Sequence, residues 1–307
     1  MNKISIIGIG RVGETVAQAI AEQNLCQELM LIDLREGVPQ SVALDILETA
    51  PLKNFSTRVN GDNQASGLAD SDLVIITTGV ARREDTSRAG FLKVAARVID
   101  DIVAGIALFA PNAVILVVSS PVEAMTYQAF LCSGFEREQV VGHSAVLDAS
   151  RLASFIALDT GYAANDITTL VLGGCGDLLV PLIRFCSVSG VPIEHLMDEN
   201  AIADSIERTR SGGAEILSMR KSSSSYLALA ESVLRMVEAI ANDSRSIISS
   251  TAVLDGEYGH SEIAISVPCV IGASGIQSII EIPLTSDEKD NFDSAAEIIR
   301  ENIAKLG

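Results

Sequence analysis

The chain has 307 residues, of which 48% are hydrophobic and 20% charged. This length suits two ordinary folded domains of about 100 to 200 residues each, and the composition excludes a disordered chain or a small disulfide-stapled scaffold. The 22 Lys and Arg residues against 40 Asp and Glu residues give a net charge of −18. Because such a surface repels phosphate backbones and anionic headgroups, we expect no nucleic-acid partner and no membrane partner.

No apolar run reaches the length of a membrane-spanning helix, about 20 residues, and the first residues lack a secretory signal pattern, so we expect a cytoplasmic protein. The five cysteines are odd in number and widely scattered. We expect most of them to be buried thiols, outside any disulfide framework. The three histidines have no metal-ligand spacing, so we expect no metal site.

The first part of the chain alternates apolar, β-rich runs with helical patterns. The predicted strands are 4–7, 29–32, 73–77 and 114–118, and the predicted helices cover about 12–22, 38–49 and 87–109. Near-continuous apolar strands separated by helices predict an α/β fold, a Rossmann-type doubly wound parallel sheet covered on both faces.

The pattern changes after residue 142. A helix at about 147–158 leads into a strand at 167–172, followed by mixed strands and two long helices near 201–220 and 225–241. This indicates a mixed α+β region. We place a domain boundary at residue 142, which divides the chain into 1–142 and 143–307.

Residues 8–13 read Gly-Ile-Gly-Arg-Val-Gly, directly after the first predicted strand. Gly8 permits a tight turn, Gly10 lets the backbone approach a pyrophosphate, and Gly13 lets the helix pack closely on the strand. Asp33 ends the second strand, where its carboxylate can accept hydrogen bonds from ribose hydroxyls and repel a 2′-phosphate. The pattern predicts a site that prefers NAD over NADP, a preference that Arg35 moderates. The alternative is a glycine-rich turn that binds nothing.

Three arginines, Arg82, Arg83 and Arg88, follow the third predicted strand, at the sheet edge where this fold binds ligands. A guanidinium binds a carboxylate through two hydrogen bonds, so this segment suits a small dicarboxylate. The alternative, a solvated helix N-terminus, is disfavoured because the helix dipole repels cations there.

With these motifs, the chain resembles the lactate/malate dehydrogenase family, most closely the malate dehydrogenases related to lactate dehydrogenase. The resemblance covers essentially the whole length and includes five further motifs in the family order. These are Glu-Gly-Val-Pro-Gln at 36–40, Ser-Ser-Pro at 119–121, Leu-Asp-Ala-Ser-Arg at 147–151, Gly-Gly-Cys-Gly-Asp at 173–177 and Val-Pro at 267–268. It implies a dinucleotide-binding domain at 1–142 and a substrate-binding and catalytic domain at 143–307. It also implies NAD as cofactor, a dicarboxylate substrate, a role in the tricarboxylic acid cycle and a homodimer or homotetramer.

The resemblance also implies roles for individual residues. Arg82 matches the arginine that selects a dicarboxylate, and Arg88 matches the loop arginine that polarises the substrate carbonyl. Arg151 matches the arginine that clamps the substrate carboxylate, and Asp148 matches the aspartate that orients the catalytic histidine. Other implied site residues are Ser120 and Ser225 for the substrate, and Arg11, Val12, Thr78, Gly79, Val118 and His143 for the cofactor, beside the glycines and Asp33.

Cys175 stands where the family has its catalytic histidine. A neutral thiol, with an ordinary pKa of ~8.5, is a weak proton donor, and the neighbouring Asp148 discourages its thiolate. Three further departures surround the same pocket: Ser120 replaces an asparagine, residues 83–85 replace Lys-Pro-Gly in the mobile loop, and Ser223 replaces a glycine. We therefore predict altered or weakened chemistry at Cys175.

His143, just before Asp148 in the chain, offers a second imidazole that could reach the pocket from another wall. The alternative, which we favour, is a polar residue at the domain junction. His195 and His260 lie in turn-like segments without a matching catalytic motif.

The sequence leaves three interpretations of function open. The first is an oxidoreductase that transfers hydride between NAD and a small dicarboxylic 2-hydroxy or 2-keto acid of the malate/oxaloacetate type, with weakened turnover. The second is a catalytically impaired homologue that binds NAD and a dicarboxylate in a binding or regulatory role. The third is reduction of an imine or another electrophile that needs no histidine. We favour the first, because the binding residues are intact and hydride transfer belongs to the cofactor.

Overall fold

Strands and helices alternate through the first part of the chain, as predicted. The structure, a computed structural model, describes residues 1–79, 88–221, 223 and 225–306. Its first elements are β1 (Lys3–Ile7), α1 (Arg11–Glu22), β2 (Glu28–Ile32), α2 (Val38–Lys53), β3 (Arg58–Asp62), β4 (Leu73–Ile76), α3 (Arg88–Phe109), β5 (Val114–Val117), α4 (Val122–Ser133) and β6 (Val140–Gly142). The strands β4 and β5 are buried at every residue. Such strands need cover on both faces of the sheet, which explains their continuous apolar sequences.

The first six strands are parallel and lie side by side in the order β3-β2-β1-β4-β5-β6. This is the strand order of a doubly wound dinucleotide-binding sheet, in which the direction of winding changes between β1 and β4. The chain leaves β1 at Gly8 and β4 at Thr77, and the Thr77 N–H donates to the carbonyl of Ile7. The predicted glycine loop therefore lies at the crevice where this fold binds ligands.

The later elements extend the same sheet. They are α5 (Ala145–Thr160), β7 (Ile167–Thr168), β8 (Val171–Gly173), β9 (Leu179–Pro181), β10 (Ser187–Val188), β11 (Val191–Pro192), α6 (Glu199–Arg220), α7 (Leu227–Ala241), β12 (Ser246–Asp255), β13 (Ser261–Gly272), β14 (Gly275–Ile279) and α8 (Ser286–Ile303). The long antiparallel strand β12 pairs with β6, and the order continues β12-β13-β8-β9, with β14 on β13. The predicted fold class, a doubly wound sheet followed by a mixed α+β region, is confirmed.

The predicted strand at 167–172 is two strands. β7 pairs with β10 in a small separate sheet, whereas β8 pairs with β13 in the main sheet. Between them the Thr169 hydroxyl donates to the carbonyl of Ala149 on α5. The run divides because its two ends pair with different sheets.

The packing of α1 on α7 positions the site. Val16 and Ile20 of α1 are fully buried in the same core as Val233 and Val237 of α7. The glycine loop at the start of α1 therefore lies beside the turn that precedes α7. In the part of the chain that the structure describes, no helix has the length and apolarity to cross a membrane.

Candidate active site

The glycine loop forms an open cradle at the N-terminus of α1. Gly8 has a φ of 97°, in the region that favours glycine, and a Cβ there would lie 2.7 Å from the Thr78 nitrogen. A Cβ at Gly13 would collide with the Gly8 carbonyl oxygen. At Gly10, by contrast, a Cβ would meet nothing within 4 Å in the part of the chain that the structure describes, and Gly10, the N-cap residue, offers the helix no capping side chain. The free N–H groups of the first turn therefore face an accessible space that suits a phosphate.

Asp33 lies beside this cradle and is saturated with hydrogen bonds. It accepts from the backbone N–H of Ile9 at 2.8 Å and from the backbone N–H of Arg35 at 2.9 Å. The Arg35 guanidinium donates to both carboxylate oxygens, through Nε at 2.9 Å and Nη2 at 2.8 Å. These bonds, led by those from the Arg35 side chain, lower the pKa of Asp33 to about 2. Asp33 is therefore charged at any physiological pH.

The ends of β4 and β5 form the next wall. The Ser119 hydroxyl donates to the Thr78 carbonyl at 2.6 Å, and the Val118 N–H donates to the Ile76 carbonyl at 2.9 Å. Gly79 is exposed, and a Cβ there would meet no atom of the described residues within 4 Å. The predicted cofactor residues Thr78, Gly79 and Val118 thus lie together beside the glycine loop.

Arg11 connects the loop to the turn before α7. Its Nη1 donates to the Ser223 hydroxyl at 2.7 Å, and its guanidinium lies over the ring of Tyr226, 5.7 Å from the centroid. Ser225, in the same turn, is buried, and Val12 packs partly buried against the main core. Ser223, one of the departures from the family pattern, therefore supplies a polar partner that a glycine would lack.

The substrate-facing pair lies on α5. Because Asp148 and Arg151 are three positions apart on a helix, they share one face, and Arg151 Nη1 donates to Asp148 Oδ1 at 3.0 Å. Asp148 is completely buried, and its Oδ2 has no hydrogen-bond partner among the described residues. Burial raises the pKa of Asp148 to about 6, although the Arg151 charge acts in the opposite direction. Among the described residues, this pairing leaves the other guanidinium N–H groups of Arg151 available to a carboxylate.

Cys175 follows β8 and precedes a short 3-10 turn at residues 176–178. Part of its surface faces solvent, but the protein atoms around the thiol raise its pKa above the ordinary value. The carboxyl groups of Asp148 and Glu123 raise the pKa of Cys175 further, since each disfavours a thiolate. The thiol is therefore neutral at physiological pH, in agreement with the sequence argument.

Glu123 is a site residue that the sequence reasoning missed. This buried carboxyl group, in the first turn of α4, accepts from the Ser144 hydroxyl at 2.8 Å and from the Cys175 backbone N–H at 3.0 Å. Burial raises the pKa of Glu123. Ser144 precedes α5, so Glu123 links the start of the helix that carries Asp148 to the Cys175 segment. The signal was an acid at the start of an otherwise apolar helix, directly after β5 at the ligand-binding edge.

His143 is only 2% exposed, and its Nε2 lies 2.7 Å from the Ser232 hydroxyl. The Ser232 hydroxyl also lies within hydrogen-bond distance of the Leu229 carbonyl, at 2.8 Å. Burial lowers the pKa of His143 to about 4. The neutral, enclosed imidazole bonds to α7 and not to Cys175 or its neighbours. A buried polar residue at the junction is the alternative that we favour for His143.

We expect His143→Gln to reduce the fall in the free energy of unfolding as the pH decreases from 6.5 to 4. The unfolded chain, with an ordinary histidine pKa of ~6.5, binds more protons than the folded chain between pH 6.5 and 4. His143 therefore makes the wild type lose stability as the pH falls through this window, whereas the raised pKa of Asp148 acts in the opposite direction. Urea unfolding of both proteins from pH 4 to 7.5 isolates the histidine contribution. The exposed His195→Gln is the control, and parallel wild-type and His143→Gln profiles would contradict this burial.

Three arginines, one serine and two histidines named in the sequence analysis remain to be placed. Arg82 and Arg83 lie outside the described residues, and Arg88 begins α3, with its side chain also outside them. Ser120 is exposed, directly before α4. Among the remaining histidines, His195 is exposed, and His260 bonds to Asp293 on α8 at 2.7 Å.

Two family models together match almost the whole chain. The model of the lactate/malate dehydrogenase NAD binding domain matches residues 2–142, and that of the lactate/malate dehydrogenase alpha/beta C-terminal domain matches residues 145–306. The chain belongs to the lactate/malate dehydrogenase family. The family resemblance drawn from the motifs is therefore confirmed.

Curated relatives and solved structures agree with this family. The chain is 46% identical to the malate dehydrogenase of Thioalkalivibrio sulfidiphilus, over 100% of both chains, and 44% identical to that of Nitrosococcus oceani, over 100% of this chain and 98% of the relative. The apo malate dehydrogenase of Picrophilus torridus superposes with a TM-score of 0.97 at 32% identity, covering 99% of this chain and 97% of that one. The malate dehydrogenase of Salinibacter ruber gives a TM-score of 0.92 at 37% identity, with the same coverage. The family fold thus extends over the full chain.

Proposed function

We propose that this chain is an NAD-dependent oxidoreductase of the malate dehydrogenase type, which transfers hydride between NAD and malate or oxaloacetate. The observation that carries the proposal is the Asp148–Arg151 pair on α5, close to Cys175, in a chain whose glycine loop lies at the switch point of the same sheet. On this proposal, residues 1–142 bind the dinucleotide, and residues 143–307 bind the substrate and carry the chemistry.

The residues of the cradle fit a dinucleotide. The uncapped first turn of α1 beside Gly10 suits the pyrophosphate, and Asp33 lies where the adenosine ribose would be held. Thr78, Gly79 and Val118 would line the cofactor site beside the glycine loop. The bound cofactor supplies the hydride, and the protein supplies position and electrostatics.

The residues on the substrate side of the site would have two roles, substrate binding and proton transfer. Arg151 would hold the carboxylate next to the reacting carbon through its free N–H groups. By position in the family pattern, Arg82 would select the second carboxylate, and Arg88 would polarise the carbonyl. Cys175 is the group nearest in role to a proton donor, but the raised pKa of its thiol makes it a poor one. We therefore expect intact binding with a slow proton-transfer step.

Binding of NADH tests the cradle directly. The chain has no Trp, so reduced-nicotinamide emission can be followed with little protein background. We expect Gly10→Val to weaken NADH binding by roughly 10- to 100-fold, since charge-assisted hydrogen bonds to the pyrophosphate would be blocked. The unfolding midpoint should not change, because the Gly10 backbone is extended, with a φ of −93°, and the space beside it is open.

Equal NADH affinity in the wild type and Gly10→Val would contradict the placement of the pyrophosphate. Absence of any saturable change in emission with the wild type would remove the cofactor from the account.

We further propose that the chain works in the cytoplasm as a homodimer or homotetramer. The support for assembly is the number of exposed leucines on and just before α2, where Leu34 is 94% exposed and Leu52 85%. Such side chains favour contact with a second subunit. The five cysteines are all free thiols, which is typical of a reducing compartment.

A further inference from the structure

Arg35 fills hydrogen-bonding positions on Asp33, the acid that should hold the adenosine ribose. A carboxylate offers about four positions for hydrogen-bond donors. Asp33 already accepts four hydrogen bonds, one from the Ile9 N–H, one from the Arg35 N–H and two from the Arg35 guanidinium. The ribose hydroxyls can therefore reach Asp33 only if they displace the Arg35 side chain.

The local backbone holds Arg35 in this position. Its Nη2 also donates to the Ile9 carbonyl at 2.7 Å. The side-chain amide of Asn63 donates to the carbonyls of Asp33 and Arg35, at 2.6 and 3.0 Å, and so fixes the segment that joins them. The side chain of Arg35 is nevertheless 60% exposed. It can therefore turn towards a bound solute, and Asp33 would then keep the backbone N–H groups of Ile9 and Arg35 as donors.

We propose that Arg35 determines cofactor choice and lets this site accept NADPH as well as NADH. A bare Asp33 would repel a 2′-phosphate, but here the paired guanidinium offsets that charge at close range. The same guanidinium can donate two parallel hydrogen bonds to a phosphate. When NADH binds, the Arg35 guanidinium only competes with the ribose hydroxyls, because both need the same hydrogen-bonding positions on Asp33. Arg35 therefore has opposite effects on the two cofactors. This inference rests on the proposed dinucleotide site.

The test is a titration of the full chain with NADH and with NADPH, followed by reduced-nicotinamide emission. We expect the wild type to bind both. Arg35→Val should bind NADPH about 10- to 100-fold more weakly, the loss expected for a charge-assisted bond, and should bind NADH more tightly than the wild type does. Arg35→Lys keeps the charge without the planar fork, so its NADPH affinity should lie between those of the wild type and Arg35→Val.

Arg58→Val is the matched control, because Arg58 is an exposed arginine on the neighbouring strand β3, paired with Glu28. It removes the same charge and should change the ratio of the two affinities little. A wild-type ratio in Arg35→Val, or the same change in both variants, would overturn the inference while leaving the NADH site in place. If the wild type binds neither NADH nor NADPH, the proposed function is overturned, and this inference with it. If it binds NADH but not NADPH, only this inference is overturned.

Discussion

Cys175→His is expected to raise the rate constant for oxaloacetate reduction by about 10²- to 10⁴-fold, the usual contribution of a positioned general acid. The wild-type thiol is neutral and holds its proton, because the surrounding protein and two carboxyl groups disfavour the thiolate. An imidazole would titrate near neutral pH instead. Asp148 Oδ2 has no partner among the described residues and can orient the new ring. Steady-state oxidation of NADH by oxaloacetate measures the change, and NADH affinity should stay nearly the same.

Two variants show whether the gain comes from an oriented imidazole. Cys175→Ser has neither a histidine nor a titrating group, so it should stay as slow as the wild type. Adding Asp148→Asn to Cys175→His should remove most of the gain, since the ring would lose its carboxylate partner. Wild-type turnover already at ordinary enzyme rates of about 10 s⁻¹ would contradict the weakened proton transfer.

Arg151→Gln is expected to lower kcat/KM for oxaloacetate by about 10³-fold, because two hydrogen bonds to a charged group contribute about 1.5 to 3 kcal/mol each. NADH affinity should be retained, since Arg151 lies on α5 and the cradle on α1. The change also removes the cation that holds down the pKa of Asp148. That pKa should rise further, and the buried acid can then take up a proton instead of remaining an unpaired charge.

Kinetics at pH 7 with oxaloacetate measure this effect, and urea unfolding checks the fold. Arg151→Lys keeps the charge but cannot form the planar fork, so its loss should be smaller. Arg208→Gln is the control, because Arg208 forms an exposed pair with Glu215 on α6. A value of kcat/KM in Arg151→Gln equal to that of the control would contradict a carboxylate clamp at this position.

Much of the parallel sheet could be predicted because most of its strands can be identified from their own short sequence, without the rest of the fold. The runs at β1, β2, β4 and β5 are short and apolar, and the glycine loop marks the start of α1. The strand β3 was missed because only Val59 in its sequence is buried. At the other extreme, α4 is buried on nearly all sides and has no amphipathic pattern, and β6 has only three residues. The positions of α4 and β6 depend on contacts with the rest of the fold.

The site was predictable where one motif carries one role. The glycines, Asp33, Asp148 and Arg151 were named from the sequence, and the structure places the first two groups in one cradle and the last two in one pair. The contacts of Glu123 with Ser144 and Cys175, and of His143 with Ser232, join residues far apart in the chain. No local pattern encodes such contacts, because they arise only when the second half of the chain packs on the first.

The most direct test of the proposed reaction is a single-turnover experiment with oxaloacetate and NADH deuterated at the transferred position of C4. We predict slow loss of NADH absorbance, one malate formed for each NADH consumed, and the deuterium at C2 of that malate. The slow step should accelerate in Cys175→His without any change in where the label is found. If NADH and oxaloacetate both bind but no label reaches malate in either protein, the chain is a binding homologue and the proposed oxidoreductase function is wrong.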